Sequence, residues 1–208
     1  MQRMTERMEK RGDWLFVLAL VAGTSFYGNH WIGLEGPIAI AWKGSGVALL
    51  ALWAATRARS TDGWLLVAVL ALGALGDVLI DAAGLVTGAV AFLAGHVVAL
   101  VLYLRNRAGP AWLAPLDAVL ISAMAYDLAR APGIAFYALW LGAMAGAAWA
   151  SRFPKALVGA GALLFVASDL LIFARLGPLA ASSVPGLLVW PTYFAGQALI
   201  AWGVARRV

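Results

Sequence analysis

LGALGDVLIDAAGLVTGAVAFLAGHVVALVLYL, residues 72–104, decides the fold. It holds the second half of one apolar run and the whole of the next, divided at Gly84, and it carries Asp77, Asp81 and His96. About 20 apolar residues in a helix cross a hydrocarbon core roughly 30 Å thick. An ionisable group inside that core is costly unless it is paired, protonated or wet, so two carboxylates on one apolar helix need a reason. Asp77 and Asp81 stand at i and i+4 and share a helix face. A second acidic helix, GALLFVASDLLIF (161–173), carries Asp169. These helices are expected to face each other and enclose a site.

The rest of the chain has the same character. Of its 208 residues 63% are hydrophobic and 12% charged, where a soluble domain has about 25% charged. Several further runs approach 20 residues and are apolar on all sides, without the alternation a membrane barrel strand requires. The composition defines an all-α, polytopic membrane bundle, with almost no room for a soluble domain and no nucleic-acid partner. The absence of cysteine excludes disulfides and thiol chemistry.

The expected order is a charged cytoplasmic tail (1–13) and one transmembrane domain (14–208) of eight helices: 14–34, 38–55, 64–82, 86–104, 112–130, 132–150, 156–175 and 186–204. The first run follows a basic segment as a signal peptide would, but it lacks a small-residue cleavage site and is kept as a helix. With the N-terminus inside, cytoplasmic segments hold 12 of the 15 Lys and Arg residues, and the outer side only Arg130 and Arg175, with Lys43 inside a helix. That bias places both termini in the cytoplasm. Arg outweighs Lys and the chain is rich in Ala and Gly, a composition of a GC-rich bacterium and hence of its inner membrane.

An internal echo accompanies this order. GALGDVLI (73–80) resembles ASDLLI (167–172), aligning Asp77 with Asp169; AFLAGH (91–96) resembles TYFAGQ (192–197), aligning His96 with Gln197. Four helices separate the copies, which predicts a parallel 4+4 repeat of the kind some transporters use. At about 1.5 Å per residue, Lys43, Asp77, Asp169, Ser168 and Tyr193 reach one level in the outer half of the core. One polar cavity would produce that shared depth. Each residue also has a plainer reading. Lys43 can snorkel outward, Asp81 can be solvated near the interface, His96 can be a packed core histidine, and Tyr193 and Gln197 can tie helices together. Asn29 lies close to the outer boundary. Asp127 and Arg130 read as a structural i,i+3 pair, Trp14, Trp31, Trp64, Trp112 and Trp190 as interfacial anchors, and Gly142 and Gly146 as a close-packing stripe.

GDVLID (76–81), F-L-A-G-H (92–96) with Tyr103, F-V-A-S-D (165–169) and Y-F-A-G-Q (193–197) together resemble the YhhN family, which includes the lysoplasmalogenases of animal membranes. Lys43 falls where that family has a lysine in its second helix. Gly44-Ser45 stands where a Lys-Pro pair is common. The resemblance implies hydrolysis of the vinyl ether bond of a lysophospholipid substrate, giving a fatty aldehyde and a glycerophospho-alcohol. Such a reaction needs a protonated carboxyl group to deliver a proton to carbon, and an anion to stabilise the cation and orient water. Asp77 and Asp169 are the candidate catalytic pair, with no cofactor and no metal. Lys43, Asp81, His96, Ser168, Tyr193, Gln197 and Asn29 are candidates for binding or support. A serine-hydrolase reading lacks the G-x-S-x-G elbow. A metal-dependent hydrolase on Asp77, Asp81, Asp169 and His96 is the enzymatic rival, and a proton-coupled carrier the non-enzymatic one.

Overall fold

The computed structural model describes the chain over residues 2–208, with side chains described from residue 13 onward. Among these residues the architecture is helical throughout, with one isolated bridge between Arg107 and Ser151. The elements are α1 (Gln2–Phe26), the single-turn α2 (Asn29–Ile32), α3 (Pro37–Arg57), α4 (Thr61–Ala83), α5 (Leu85–Arg105), α6 (Leu113–Ala129), α7 (Pro132–Ala150), α8 (Ala160–Arg175) and α9 (Val184–Ala205). Among the described residues seven spans are long and apolar enough to cross a membrane, and the chain is an integral multi-pass membrane protein.

The sequence expectation of eight long helices holds for number, with three adjustments. The first helix ends at Phe26 rather than residue 34, because Gly28 and the left-handed Gly33 turn the chain before α3. α1 begins at Gln2, and its basic side chains before Asp13 lie outside the described residues. The fifth expected span, α6, has only 17 residues and is the one long helix not counted among the seven. Gly84 divides α4 from α5 as expected, at a φ of 93° that disfavours a side chain. The seventh expected span begins with one wide turn, Lys155–Gly159, before α8 proper.

Packing follows the small residues. α6 lies along α7 because Gly142 and Gly146 present bare backbone: a Cβ at Gly142 would stand 2.3 Å from the Asp117 carbonyl oxygen, and one at Gly146 2.4 Å from that of Leu113. Neither obstacle is a flexible side chain. Gly142→Ala is therefore expected to destabilise the bundle by about 1–3 kcal/mol, through overpacking. Gly133→Ala, on the same helix with nothing within 4 Å of its Cβ position, is the neutral control. Unfolding midpoints of the two variants in detergent check this, and equal midpoints would remove the close-packing role.

Elsewhere α1 packs on α3, α3 on α4, α4 on α5, α5 on α7 and α8 on α9, while α9 returns to α3. One end of the bundle is tied by basic loops. Asp62 accepts from Arg105 (3.0 Å) and Asn106 (2.8 Å), Arg152 donates to Asn106 (2.6 Å), and Arg57 pairs with Asp13 (2.6 Å). The opposite end carries Asn29, the Asp127–Arg130 pair and Arg175, with Arg130 closing α6 in the left-handed region. Trp14, Trp31, Trp64 and Trp112 are all exposed, as membrane-boundary anchors should be. Trp190 is not of this kind: it is half-buried and its indole donates to the Gly23 carbonyl at 2.7 Å, tying α9 to α1.

Candidate functional site

α4 brings Asp77 to the centre of the bundle, 2% exposed. The glycines of GALGD make that placement possible. A Cβ at Gly73 would stand 2.7 Å from the Gln197 amide nitrogen and 3.4 Å from the Tyr193 hydroxyl, and one at Gly76 2.7 Å from the Phe92 ring. Bare backbone at Gly73 lets the polar face of α9 reach α4 one turn before the carboxylate, and at Gly76 it admits the Phe92 ring of α5. The Tyr193 hydroxyl then donates to Asp77 Oδ2 at 2.9 Å, and Gln197 Nε2 donates to the Tyr193 oxygen at 3.4 Å.

A second carboxylate is held the same way by different helices. Asp169 of α8 is 6% exposed. The Tyr137 hydroxyl of α7 donates to Asp169 Oδ2 at 2.8 Å, and His96 Nε2 of α5 lies 2.9 Å from that hydroxyl and 3.8 Å from the carboxylate oxygen. Since Tyr137 has a single proton, a bond donated to Asp169 requires His96 Nε2 to be the donor toward Tyr137. Both carboxylates thus end a relay of the same form: a nitrogen donor, a tyrosine hydroxyl, an acid. Gln197 begins one and His96 the other, and these are the two residues that the internal echo aligns.

Phe165 lies between the relays, its ring centroid 5.2 Å from that of Tyr193 and 5.0 Å from that of His96. Beside it is a small cavity of about 20 Å³, lined by Gly73, Phe92, His96, Tyr103, Phe165 and Gln197. That is room for one water molecule. The Gln197 Oε1 atom and the Tyr103 hydroxyl are buried with no hydrogen-bond partner among the described residues.

The remaining sequence candidates fall elsewhere. Lys43 does not reach Asp77: its ammonium sits between the two oxygens of Asp81, 3.0 Å from each, one turn further toward the end of α4. A lysine whose backbone is level with Asp77 extends its long stem outward to the wetter carboxylate, because its head group is less costly there. Asp81 is accordingly part-exposed, 40% at its side chain against 15% for Lys43. Ser168 does not face a cavity. It donates to the Val189 carbonyl at 3.2 Å, on the turn of α9 that Pro191 interrupts, where Thr192 also caps the Leu188 carbonyl at 2.7 Å. Asn29 is a local clamp, exchanging two hydrogen bonds with the backbone of Leu34 (3.1 and 2.9 Å). The single cavity expected to gather Lys43, Asp77, Asp169, Ser168 and Tyr193 is thus three groupings: two relays and an ion pair.

Tyr137 is the residue the sequence reading passed over. A signal for it exists. Ile40-Ala41-Trp42-Lys43 in α3 matches Ile134-Ala135-Phe136-Tyr137 in α7, which places Tyr137 opposite Lys43 in the echo. In both copies that position holds an aspartate of the following acidic helix: Lys43 holds Asp81 of α4, and Tyr137 holds Asp169 of α8.

Fold and site together describe a multi-pass helical membrane protein with two tyrosine-held carboxylates buried at its centre. The chain matches the YhhN family model over residues 38–204 and belongs to the YhhN family. The matched range contains Lys43, Asp77, Asp81, His96, Tyr137, Ser168, Asp169, Tyr193 and Gln197, and excludes Asn29. No curated protein and no solved structure matches the chain.

Proposed function

We propose that this protein is a membrane-embedded hydrolase that cleaves the vinyl ether bond of lysoplasmalogen-type lysophospholipids by acid–base catalysis. The observation that carries the reading is the pair of buried carboxylates, Asp77 and Asp169, on neighbouring parts of one bundle and each held by a tyrosine hydroxyl. One carboxyl group protonates the β-carbon of the vinyl ether, and the double-bond electrons form the new C–H bond. The resulting oxocarbenium ion takes up water, whose proton passes to the other carboxylate. The hemiacetal then collapses to aldehyde and glycerophospho-alcohol. No enzyme nucleophile is needed.

The relays favour a division of labour. Asp169 has an imidazole behind its tyrosine, so a proton taken from water has a route onward once the relay turns round, with protonated Asp169 donating to Tyr137 and Tyr137 to His96 Nε2 in the imidazole's Nδ1–H tautomer. Asp77 is backed by an amide that exchanges no proton, which suits the acid that gives its proton to carbon. Water held in the cavity would adjoin His96 and Gln197, the groups at which the two relays begin. Among the described residues no group of three or more His, Asp or Glu side chains is placed to hold a metal ion.

The protein belongs, on this reading, in a bacterial inner membrane with its basic end and both termini cytoplasmic. A parallel 4+4 repeat is supported by the way α5 packs on α7 while α9 packs on α3, an exchange of equivalent helices. The test is aldehyde release from a lysoplasmalogen by the purified protein in detergent, with and without chelator. Release that persists in chelator is expected. No release across head groups and pH, together with substrate flux into sealed vesicles, would replace the hydrolase with a carrier.

A further inference from the structure

The Lys43–Asp81 ion pair has no part in either relay, yet it is the charged pair that faces Asp77. Three observations give it a use. First, it is set one helical turn from Asp77 on the same face of α4, a rise of about 6 Å. In a glycerophospholipid, five bonds separate the sn-1 ether oxygen from phosphorus, about 6 Å at full stretch. A lipid whose ether lies at Asp77 therefore brings its phosphate level with Asp81. Second, Lys43 is 15% and Asp81 40% exposed at the side chain, against 2% exposure for Asp77 as a whole residue, so the pair stands at the open end of the acid's own face. Third, it is a zwitterion by construction, with an ammonium held between two carboxylate oxygens at 3.0 Å each.

We propose that Lys43 and Asp81 form the head-group subsite, opening to take a zwitterionic phosphodiester with its phosphate on Lys43 and its cation on Asp81. This rests on the hydrolase reading above for the position of the ether at Asp77. The cation is a primary ammonium. Asp81 accepts two hydrogen bonds from the ammonium of Lys43, and only a group with N–H donors replaces those in kind when Lys43 turns to the phosphate. A trimethylammonium has no such donors and is held by aromatic faces. The ligand class is thus an ethanolamine-type lysolipid in preference to a choline-type one. The pair serves also as a filter, since a lipid without head-group charge cannot replace the ion pair it has to open.

The subsite is tested by binding, with saturated ethers that the vinyl ether chemistry leaves intact: 1-O-hexadecyl-glycerophosphoethanolamine, the matching choline lipid, and 1-O-hexadecylglycerol. The full-length protein in nanodiscs is expected to bind the ethanolamine lipid about tenfold more tightly than the choline lipid, and both more tightly than the alkylglycerol. Lys43→Met should erase the preference for phosphate, and Asp81→Asn the preference for ethanolamine. The exchange variant Lys43→Asp with Asp81→Lys retains the ion pair and its structural tie. It should nevertheless lose both preferences, because the charges now stand in the wrong order for the lipid. Wild-type preferences persisting in the exchange variant, or equal binding of the three lipids by wild type, would overturn the subsite. Aldehyde release measured in parallel separates the two claims. Hydrolysis with no head-group preference refutes the subsite alone, and preference without hydrolysis refutes the hydrolase alone.

Discussion

Asp77→Asn and Asp169→Asn are each expected to lower kcat for aldehyde release by about 10²–10⁴-fold, the range that a positioned proton donor or acceptor contributes. The substitutions are chosen to remove proton chemistry and leave shape. An asparagine carbonyl at position 77 still accepts from the Tyr193 hydroxyl, which now lies 2.9 Å from the carboxylate, and one at 169 still accepts from Tyr137, now at 2.8 Å. The fold should persist, with KM within a few-fold of wild type. The two losses should not multiply, because protonation of carbon and capture of water belong to one sequence and either missing group stops it. The doubly substituted protein should therefore be about as slow as the slower single variant. Steady-state rates with one lysoplasmalogen, alongside unfolding midpoints, decide the matter. A single variant that keeps more than a fifth of the wild-type kcat removes that aspartate from the chemistry.

How much of this was legible in the residues depends on what each residue's neighbours fix. The helices were legible because apolar runs of bilayer length leave backbone groups no partner but each other, and the break at Gly84 because its backbone needs a positive φ. The helix rise alone predicts a shared depth for Asp77 and Asp169, and both are buried. Which group each one touches was not legible. Depth fixes where a backbone lies along the membrane normal, but a lysine stem spans more than a helical turn. Lys43, level with Asp77 by its backbone, is bonded one turn further out on Asp81. Asp77 and Asp81 share a face, so no periodicity distinguishes them as its partner. Ser168 is the opposite case. It sits beside Asp169, but its partner is a carbonyl on the proline-broken turn of α9, which only the packing of α8 on α9 supplies. The internal echo held more than was drawn from it. Read as far as Ile134-Ala135-Phe136-Tyr137, it marks a polar group in an otherwise apolar helix at the position where the other copy has Lys43.

Tyr137 accordingly carries the second large expected effect. Tyr137→Phe removes one hydroxyl and takes a partner from two buried groups at once, an Asp169 oxygen and His96 Nε2. Buried polar groups left unpaired cost about 1–3 kcal/mol each, and 3.8 Å between His96 and Asp169 is too long for a direct hydrogen bond to take over. Tyr193→Phe is the comparison. It strips Asp77 of a 2.9 Å bond, but its link to Gln197 is already long, at 3.4 Å. Tyr137→Phe should therefore lower the unfolding midpoint in detergent further than Tyr193→Phe, and should lower kcat by about 10²-fold through loss of the route from Asp169 to the imidazole. His96→Gln separates structure from chemistry along the same relay. Its amide can still donate to the Tyr137 hydroxyl, as Gln197 does to Tyr193 in the other relay, so the midpoint should hold while kcat falls, because an amide takes up no proton. Equal midpoints for Tyr137→Phe and Tyr193→Phe would mean that Asp169 draws no more from its relay than Asp77 does. A His96→Gln protein with full activity would reduce His96 to a hydrogen-bond donor and leave the base with no route for its proton but water.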